Sequence, residues 1–449
     1  MFSGSPLNRL SWLRTSHLFL NAIIASPSTR WLLFNAGQPL VFANSDSPRK
    51  QTLAFLATKD VRPFLGPEPF FGQDKEIGQL VVESSEVKHS STEAARHHGS
   101  PVVFLGLQEH SKTNALSSSD FVDAEATIAN LDGTPYFSMD VADLDLASER
   151  LQEILQATSS AQEGHVLSWS EPRVLMTGLD SFSGAVFAEA RSLVDWNQRN
   201  KFCAGCGSPT YSMWGGWKLS CSSLLPWADN IGRKPCPTTK GLHNFTHPRT
   251  DPVVIMIAID ETGDKVLLGR SKKYTGKFYS ALAGFIEPGE TFEDAVAREM
   301  WEEAGVHVWD IQYHSGQPWP YPANLMVGFY ARADSSQKIR VDLDDELVDA
   351  RWFSRSEILD VLRHPVGGKF GSNEYRKMAE STEERDTQHT PHLNPTYEDK
   401  ATKDNEPPFR LPPVTAIAGV LIRDWLEGKI GFTPTSKPTS QLLSQKNNL

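Results

Sequence analysis

Residues 298–306 read Arg-Glu-Met-Trp-Glu-Glu-Ala-Gly-Val, with three glutamates in nine positions. Like charges three or four residues apart on a helix repel one another, so the segment needs a compensating partner. Thr291 followed by Asp294 is a capping-box-like start, and Gly305 stands where a helix-ending residue belongs, which predicts a helix over 292–304. At about 100° per residue, Glu299, Glu302 and Glu303 fall within about 100° of arc, and Phe292, Ala295, Val296 and Met300 lie on or beside the same arc. Glutamates serving solubility would lie opposite the apolar stripe; these run along it, toward the protein. A hard divalent cation suits them, since Mg²⁺ prefers carboxylate oxygens and keeps water positions open for phosphate. Arg298 is spaced to pair with Glu302 one turn on and orient it.

Upstream, Leu-Ala-Gly-Phe-Ile-Glu-Pro-Gly-Glu leaves an apolar run and turns through Gly284, Pro288 and Gly289 before Glu290. Residues 284–306 together have the form G-x5-E-x7-R-E-U-x-E-E-x-G-U, U being apolar. Its fixed residues, at roughly 7% background each, coincide by chance on the order of once in 10⁸ start positions. A solvated charged helix is the plain alternative. The pattern resembles the signature of the Nudix hydrolases, matched without a gap. That resemblance implies an α/β/α sandwich in which a loop-helix-loop holds Mg²⁺ or Mn²⁺ against a diphosphate while water attacks phosphorus. Carried over by position, it implies catalytic roles for Arg298, Glu299, Glu302 and Glu303, with Glu299 and Glu303 as metal ligands and Glu302 a further ligand or base. The carbonyl of Ala283 is expected to reach a metal too. Downstream, Asp-Leu-Asp-Asp-Glu-Leu-Val-Asp-Ala-Arg-Trp-Phe resembles the strand on which some members place another glutamate; Glu346 is the match, with Asp344 and Asp345 competing.

A chain of 449 residues has room for two or three domains, and 39% hydrophobic residues with 12 Trp support packed cores. The net charge of −11 argues against tight non-specific binding to nucleic acid or an anionic membrane. No run approaches the roughly 18 consecutive apolar residues of a membrane span, so no membrane partner is expected. The run Leu-Phe-Leu-Asn-Ala-Ile-Ile-Ala-Ser-Pro-Ser, following Arg9 and Arg14 with no acid before Asp46, admits a targeting peptide. A folded domain is the better reading, because residues 30–42 follow at once as two apolar runs about Asn35-Ala36-Gly37, a first hairpin. The C-terminal Asn-Asn-Leu shares only its last residue with the peroxisomal Ser-Lys-Leu signal; an intracellular location, peroxisomal or cytoplasmic, is expected.

Residues 1–195 alternate short apolar strands with polar connectors and end in helical patterns, an α+β domain with no catalytic constellation. Composition shifts to Cys, Gly and Trp over 196–247 and again at Pro248, where a strongly apolar strand opens a domain expected over 248–435. Within it, 366–407 has too few large apolar residues to offset the entropy of ordering and is expected to be a disordered insertion, with 436–449 a flexible tail. The expected class is α+β: a Nudix α/β/α sandwich preceded by a small zinc ribbon and an α+β N-terminal domain.

All four cysteines lie within 34 residues. Cys203 and Cys206 form a C-x2-C knuckle, Cys221 follows at zinc-ribbon spacing, and Cys236 departs from the pattern by standing 15 residues further on. A structural Zn²⁺ on Cys203, Cys206, Cys221 and Cys236 is expected, with His243 or His247 as substitutes for the fourth ligand. Reduced, unrelated cysteines and disulfides are the alternatives.

After the signature comes Ser-Gly-Gln-Pro-Trp-Pro-Tyr-Pro-Ala-Asn, whose three prolines stiffen a loop. Trp319 and Tyr321 offer flat faces for a base or nicotinamide ring, at about 1–3 kcal/mol per stacked base; a rigid loop packed on the core is the alternative. The element resembles the S-Q-P-W-P-F-P-x-S stretch of the NADH pyrophosphatase (NADH diphosphatase) subfamily. The order of cysteine knuckle, His-Pro-Arg-Thr-Asp-Pro-Val-Val-Ile strand, signature and loop is also similar. Gly316 and Asn324 replace serines, Tyr321 replaces Phe, and His247 stands where relatives carry a tyrosine. The resemblance implies that Ala283, Gly284, Phe285, Gln317, Pro318, Trp319, Pro320, Tyr321, Pro322, Ala323, Asn324, Glu346 and Ala418 line the substrate site. The expected activity is Mg²⁺/Mn²⁺-dependent hydrolysis of NADH or NAD⁺ to AMP and nicotinamide mononucleotide, with NAD-capped RNA as a further substrate and a homodimer implied. An ADP-ribose or ADP-sugar diphosphatase and a non-catalytic nucleotide-binding regulator are the alternatives.

Overall fold

The computed structural model describes residues 6–43, 51–81, 92–110, 126, 128, 132–175, 178–239, 247–272, 276–344, 346–368 and 406–430. The expected tail, nearly all of the expected insertion, His243 and Asp345 lie outside the described residues. The chain divides into two compact units: Phe2–Thr250 with Trp319–Ala323, and Asp251–Pro318 with Asn324–Leu449.

In the first unit, helix α1 (His17–Ala25) precedes strands β1 (Arg30–Asn35), β2 (Gln38–Ala43), β3 (Thr52–Leu53) and β4 (Phe55–Ala57) and helix α2 (Thr58–Leu65). Strands β5 (Ala95–Arg96), β6 (Val103–Glu109) and β7 (Gly133–Asp140) follow, then helix α3 (Ser148–Gln156), β8 (Val166–Trp169), helix α4 (Ser181–Arg199), β9 (Thr210–Met213) and β10 (Lys218–Cys221). The β1–β2 hairpin turns where the sequence predicts. Ala36 and Gly37 both take positive φ, and the Asp140 carboxylate accepts their amides at 3.1 and 2.9 Å. The main sheet runs β3-β2-β1-β7-β6, with β4 on β1 and β8 on β2. Side chains alternate along β1: Trp31 and Leu33 enter one core with α1, Leu32 and Phe34 the other with α4. The residues suggestive of a targeting peptide form α1, whose Phe19, Leu20, Ile23 and Ile24 are fully buried. A separate sheet, β10-β9-β5, carries the cysteines beside it.

The second unit holds β11 (Asp251–Ile259), β12 (Lys265–Ser271), β13 (Leu282–Phe285), helix α5 (Phe292–Ala304), β14 (Val308–Trp319), β15 (Asn324–Ala333), β16 (Leu347–Ser354), helix α6 (Arg355–Arg363) and helix α7 (Ile417–Leu426). Its sheet runs β14-β15-β11-β12-β16, with β13 on β11; β11 and β15 are parallel. Strand β11 is buried on both faces. Val254, Met256 and Ala258 pack with α5, while Ile255, Ile257 and Ile259 pack with α6 and α7. Helices on both sides of one sheet make the α/β/α sandwich expected from the sequence. No helix among the described residues is long and apolar enough to cross a membrane.

Candidate active site and cysteine cluster

Helix α5 spans the predicted residues. Thr291 and Asp294 close a reciprocal capping box at 3.2 and 3.1 Å, and Gly305 ends the helix in the left-handed region at φ +66°. Ala295, Val296, Met300 and Ala304 are fully buried, which fixes the rotation of the helix on the sheet. The glutamates then differ in depth. Glu303, beside this stripe, is 5% exposed, the Glu299 side chain is 12% exposed, and that of Glu302, turned furthest away, is 45% exposed.

Strand β13 supplies the other wall. The Ala283 amide donates to Glu303 Oε1 at 3.2 Å. A Cβ on Gly284 would lie 1.8 Å from the carboxyl carbon of Glu299, so only glycine lets that carboxylate rest against the strand. Arg298 ties the group together. It donates to Glu290 at 2.6 and 2.9 Å, Glu299 at 2.8 Å, Glu302 at 2.9 Å and the Phe285 carbonyl at 2.8 Å.

These contacts leave negative charge uncompensated. Burial holds the Glu303 carboxyl well above the usual range, reinforced by Glu299, Glu346 and Asp344 and opposed by the Ala283 amide. Burial raises Glu299 as well; Arg298 opposes this, and Glu302 and Glu346 add to it. Glu290, outside the pocket of repulsion, is pulled down to about 2 by Arg298 and the Glu287 amide. Glu346 is exposed, and its amide donates to Asp344 at 3.1 Å. An excess of hard oxygen donors with raised proton affinity fits a divalent cation.

The cysteines are arranged differently. Their four Sγ atoms lie within 4.8 Å of one another, the only group of three or more acidic, His or Cys ligands so gathered among the described residues. Cys203 and Cys236 are 3.7 Å apart and Cys206 and Cys221 3.4 Å, with no disulfide. A tetrahedral site with Zn–S near 2.3 Å has edges of about 3.8 Å, so the residues fit Zn²⁺. The knuckle closes through Gly207 N to Cys203 O at 2.8 Å and Cys203 N to Ser208 O at 2.7 Å. Cys236 joins the cluster, whereas the His247 ring lies against Trp214.

The NUDIX domain model matches residues 249–370. The chain is 34% identical over 366 residues to the NAD-capped RNA hydrolase of Schizosaccharomyces pombe, covering 80% of this chain and 85% of that one. This chain belongs to the Nudix hydrolase family. NAD-capped RNA hydrolase NUDT12 of Homo sapiens is 31% identical over 426 residues, 95% of this chain and 73% of that one. NAD-capped RNA hydrolase NPY1 of Saccharomyces cerevisiae is 30% identical over 375 residues, 82% and 88%. These relatives agree with the NADH pyrophosphatase subfamily expected of this Nudix chain.

The structure brings together Ala283, Gly284, Phe285 and the signature residues of this Nudix protein; Phe285 is 57% exposed. The stretch after the signature is mostly strand, with only residues 320–323 in the turn. Trp319 and Tyr321 pack on the core of the first unit, edge to face at 5.1 Å. The Tyr321 hydroxyl donates to Pro172 O at 3.2 Å, and the guanidinium groups of Arg173 and Arg191 each lie 5.1 Å from its ring centroid. Arg191 also donates to Pro320 O at 2.7 Å. Gln317 and Ala418 are both buried in the second unit, and Asn324 begins β15 opposite Asp251. Glu290 was legible as a fixed position of the signature, but its role as the main partner of Arg298 was not. Nothing near Arg173 or Arg191 in sequence points to the loop.

Proposed function

We propose that this Nudix hydrolase splits the central diphosphate of NADH or NAD⁺, releasing AMP and nicotinamide mononucleotide in its reduced or oxidised form. The observation that carries the reading is the buried Glu303 carboxylate beside Glu299, seated on Gly284 with excess negative charge. The relatives named as NAD-capped RNA hydrolases support the substrate class, since such a cap contains the same bond, and NAD-capped RNA is a second substrate on that ground. A bound Mg²⁺ or Mn²⁺ would neutralise the diphosphate oxygens and lower the pKa of a water.

The chain's own residues prepare that chemistry. Glu299, Glu303 and the Ala283 carbonyl, with Glu346, are assigned as ligands. Arg298 holds Glu299 and Glu302 in place through hydrogen bonds on one guanidinium nitrogen. Glu302, the most exposed of the three, is assigned to accept the proton of the attacking water or to complete the ligand set. Gly284, Phe285, Pro318, Trp319, Pro320, Tyr321, Pro322, Ala323, Asn324 and Ala418 are assigned to substrate binding by resemblance. Cys203, Cys206, Cys221 and Cys236 hold a structural Zn²⁺, since four thiolates leave no open position. We assign residues 196–247 as a zinc ribbon between an N-terminal domain and the Nudix domain, and place the protein as a homodimer in the peroxisome or cytoplasm.

A product assay on NADH, NAD⁺, NADPH and ADP-ribose with Mg²⁺ tests the reading. AMP and the mononucleotide are expected from NADH or NAD⁺, with release slower by orders of magnitude from Glu303→Gln. Faster turnover of ADP-ribose would assign the chain to ADP-sugar diphosphatases, and NADH binding without AMP release would make it a regulator.

A further inference from the structure

Gln317 lies in β14 within the stretch assigned to substrate by resemblance, yet its side chain is committed elsewhere. The residue is 4% exposed. Its Oε1 accepts the amide of Ile417 at 2.8 Å, and its Nε2 donates to the Thr415 carbonyl at 3.0 Å. The two contacts agree on the orientation of the amide, because one atom meets a donor and the other an acceptor.

Ile417 is the first residue of α7, and the residue before it, Ala416, has the extended backbone of an N-cap but no side chain to cap with. The first amides of a helix lack partners within it, so Gln317 supplies from β14 an acceptor for one of them, at a helix start with no side-chain cap of its own. The surroundings hold this helix start tightly. A Cβ on Gly419 would lie 2.2 Å from Pro413 O, and one on Gly328 would lie 3.0 Å from Ile417 Cδ1, so the preceding prolines and β15 both close on the first turn. Further along, Tyr330 donates to Leu421 O at 2.7 Å, and His314 meets Asp424 at 3.1 Å. The strands thus grip α7 at its start, middle and end, and the grip at the start is Gln317.

We propose that Gln317 is a positioning residue: it fixes the first turn of α7, and with it the backbone at Ala418, and does not itself touch substrate. The proposal rests on the assignment of Ala418 to the substrate site. It departs from the expectation that Gln317 binds substrate directly, and the two are separated by experiment.

The test compares wild type, Gln317→Leu and Gln317→Glu, zinc-loaded and with Mg²⁺, by steady-state NADH hydrolysis and by hydrogen–deuterium exchange of a peptide covering 415–421 in the substrate-free protein. Leu removes both bonds. Glu keeps the acceptor for Ile417 and loses the donor to Thr415. Loss of a buried hydrogen bond at this scale predicts a KM raised about fivefold to tenfold in Gln317→Leu, kcat within about twofold, and exchange over 415–421 faster by about tenfold. Gln317→Glu should fall between the two on both measures, and it serves alone if the Leu variant does not fold. A raised KM with unchanged exchange would mean direct substrate contact and overturn the proposal. Faster exchange with unchanged KM would mean a purely structural tie and overturn it as well. Should wild type leave NADH intact, the substrate reading fails on its own account, while the exchange still reports whether Gln317 holds the helix.

Discussion

The glutamates of α5 and the cysteines beside β10 are both candidate metal sites, and they solve opposite problems. Four sulfurs gather within 4.8 Å, three of the four cysteines being buried. Thiols are neutral when protonated, so the fold can bring them together without electrostatic cost and a cation then completes the cluster. Carboxylates resist proximity: burial raises the proton affinity of Glu303, at 5% exposure, and Glu299, Glu346 and Asp344 raise it further, while Glu302 stays half in solvent on Arg298. A closed sulfur site stabilises the chain that forms it. An open carboxylate site is held against its own repulsion by packing and one arginine, and a cation bound there would relieve that repulsion.

The largest expected effect separates the two roles. Glu303→Gln keeps an oxygen to accept the Ala283 amide but removes a charge, so NADH hydrolysis should fall by about 10³-fold while the melting temperature stays level or rises. A large loss of stability in this variant would break the contrast. Cys221→Ser should do the reverse. Metal analysis should show about one zinc per chain in wild type and a loss of it in the variant, with a melting temperature lower by about 10 °C or more, because binding free energy at such sites is folding free energy. An unchanged zinc content would remove the sulfur half of the comparison.

Gly284→Ala sharpens the carboxylate half. With a methyl group placed 1.8 Å from the Glu299 carboxyl carbon, the side chain must leave its seat, and kcat/KM should drop by about 10- to 100-fold with a change of only a few degrees in melting temperature. Activity near wild type would show that the seat of Glu299 is dispensable.

Helix α5 was legible because its start, stop and acidic spacing are local signals: Thr291, Asp294 and Gly305 set the ends, and the apolar stripe set the face. The β1–β2 turn and the strongly apolar strand that forms β11 were legible for the same reason. Depth was not. A rotation of about 100° per residue places Glu302 and Glu303 on neighbouring lines, but only the packed sheet decides that one is buried and the other half exposed. The fourth cysteine position was open in sequence because a 15-residue spacing says nothing about where the chain returns. The bonds Gln317 makes were hidden for a similar reason, since its partners stand about 100 residues away, beyond any local pattern. The surroundings of Tyr321, with Arg173 and Arg191 about its ring, likewise depend on long-range folding.

The smallest expected effect concerns a half-buried imidazole in the cysteine-bearing unit. Burial pulls His97 from 6.5 down to about 4, and its Nε2 has no hydrogen-bond partner among the described residues. The unfolded chain takes up the proton first as pH falls, so this group's stability contribution, intact above the unfolded value of 6.5, is lost as pH drops toward about 4. His97→Phe keeps a ring against Tyr211, at 4.5 Å between centroids in wild type, and should show a shallower fall in melting temperature between neutral and acid pH. An identical acid slope would exclude His97 from the acid sensitivity of that unit.

If the inward glutamates of α5 hold a divalent cation, thermal unfolding of the zinc-loaded chain across a Mn²⁺ titration shows it without relying on catalysis. Ligand that binds only the folded state raises the melting temperature with concentration. Wild type should climb by several degrees and Glu303→Gln should stay nearly flat; equal climbs in the two proteins would mean that these glutamates do not hold the cation.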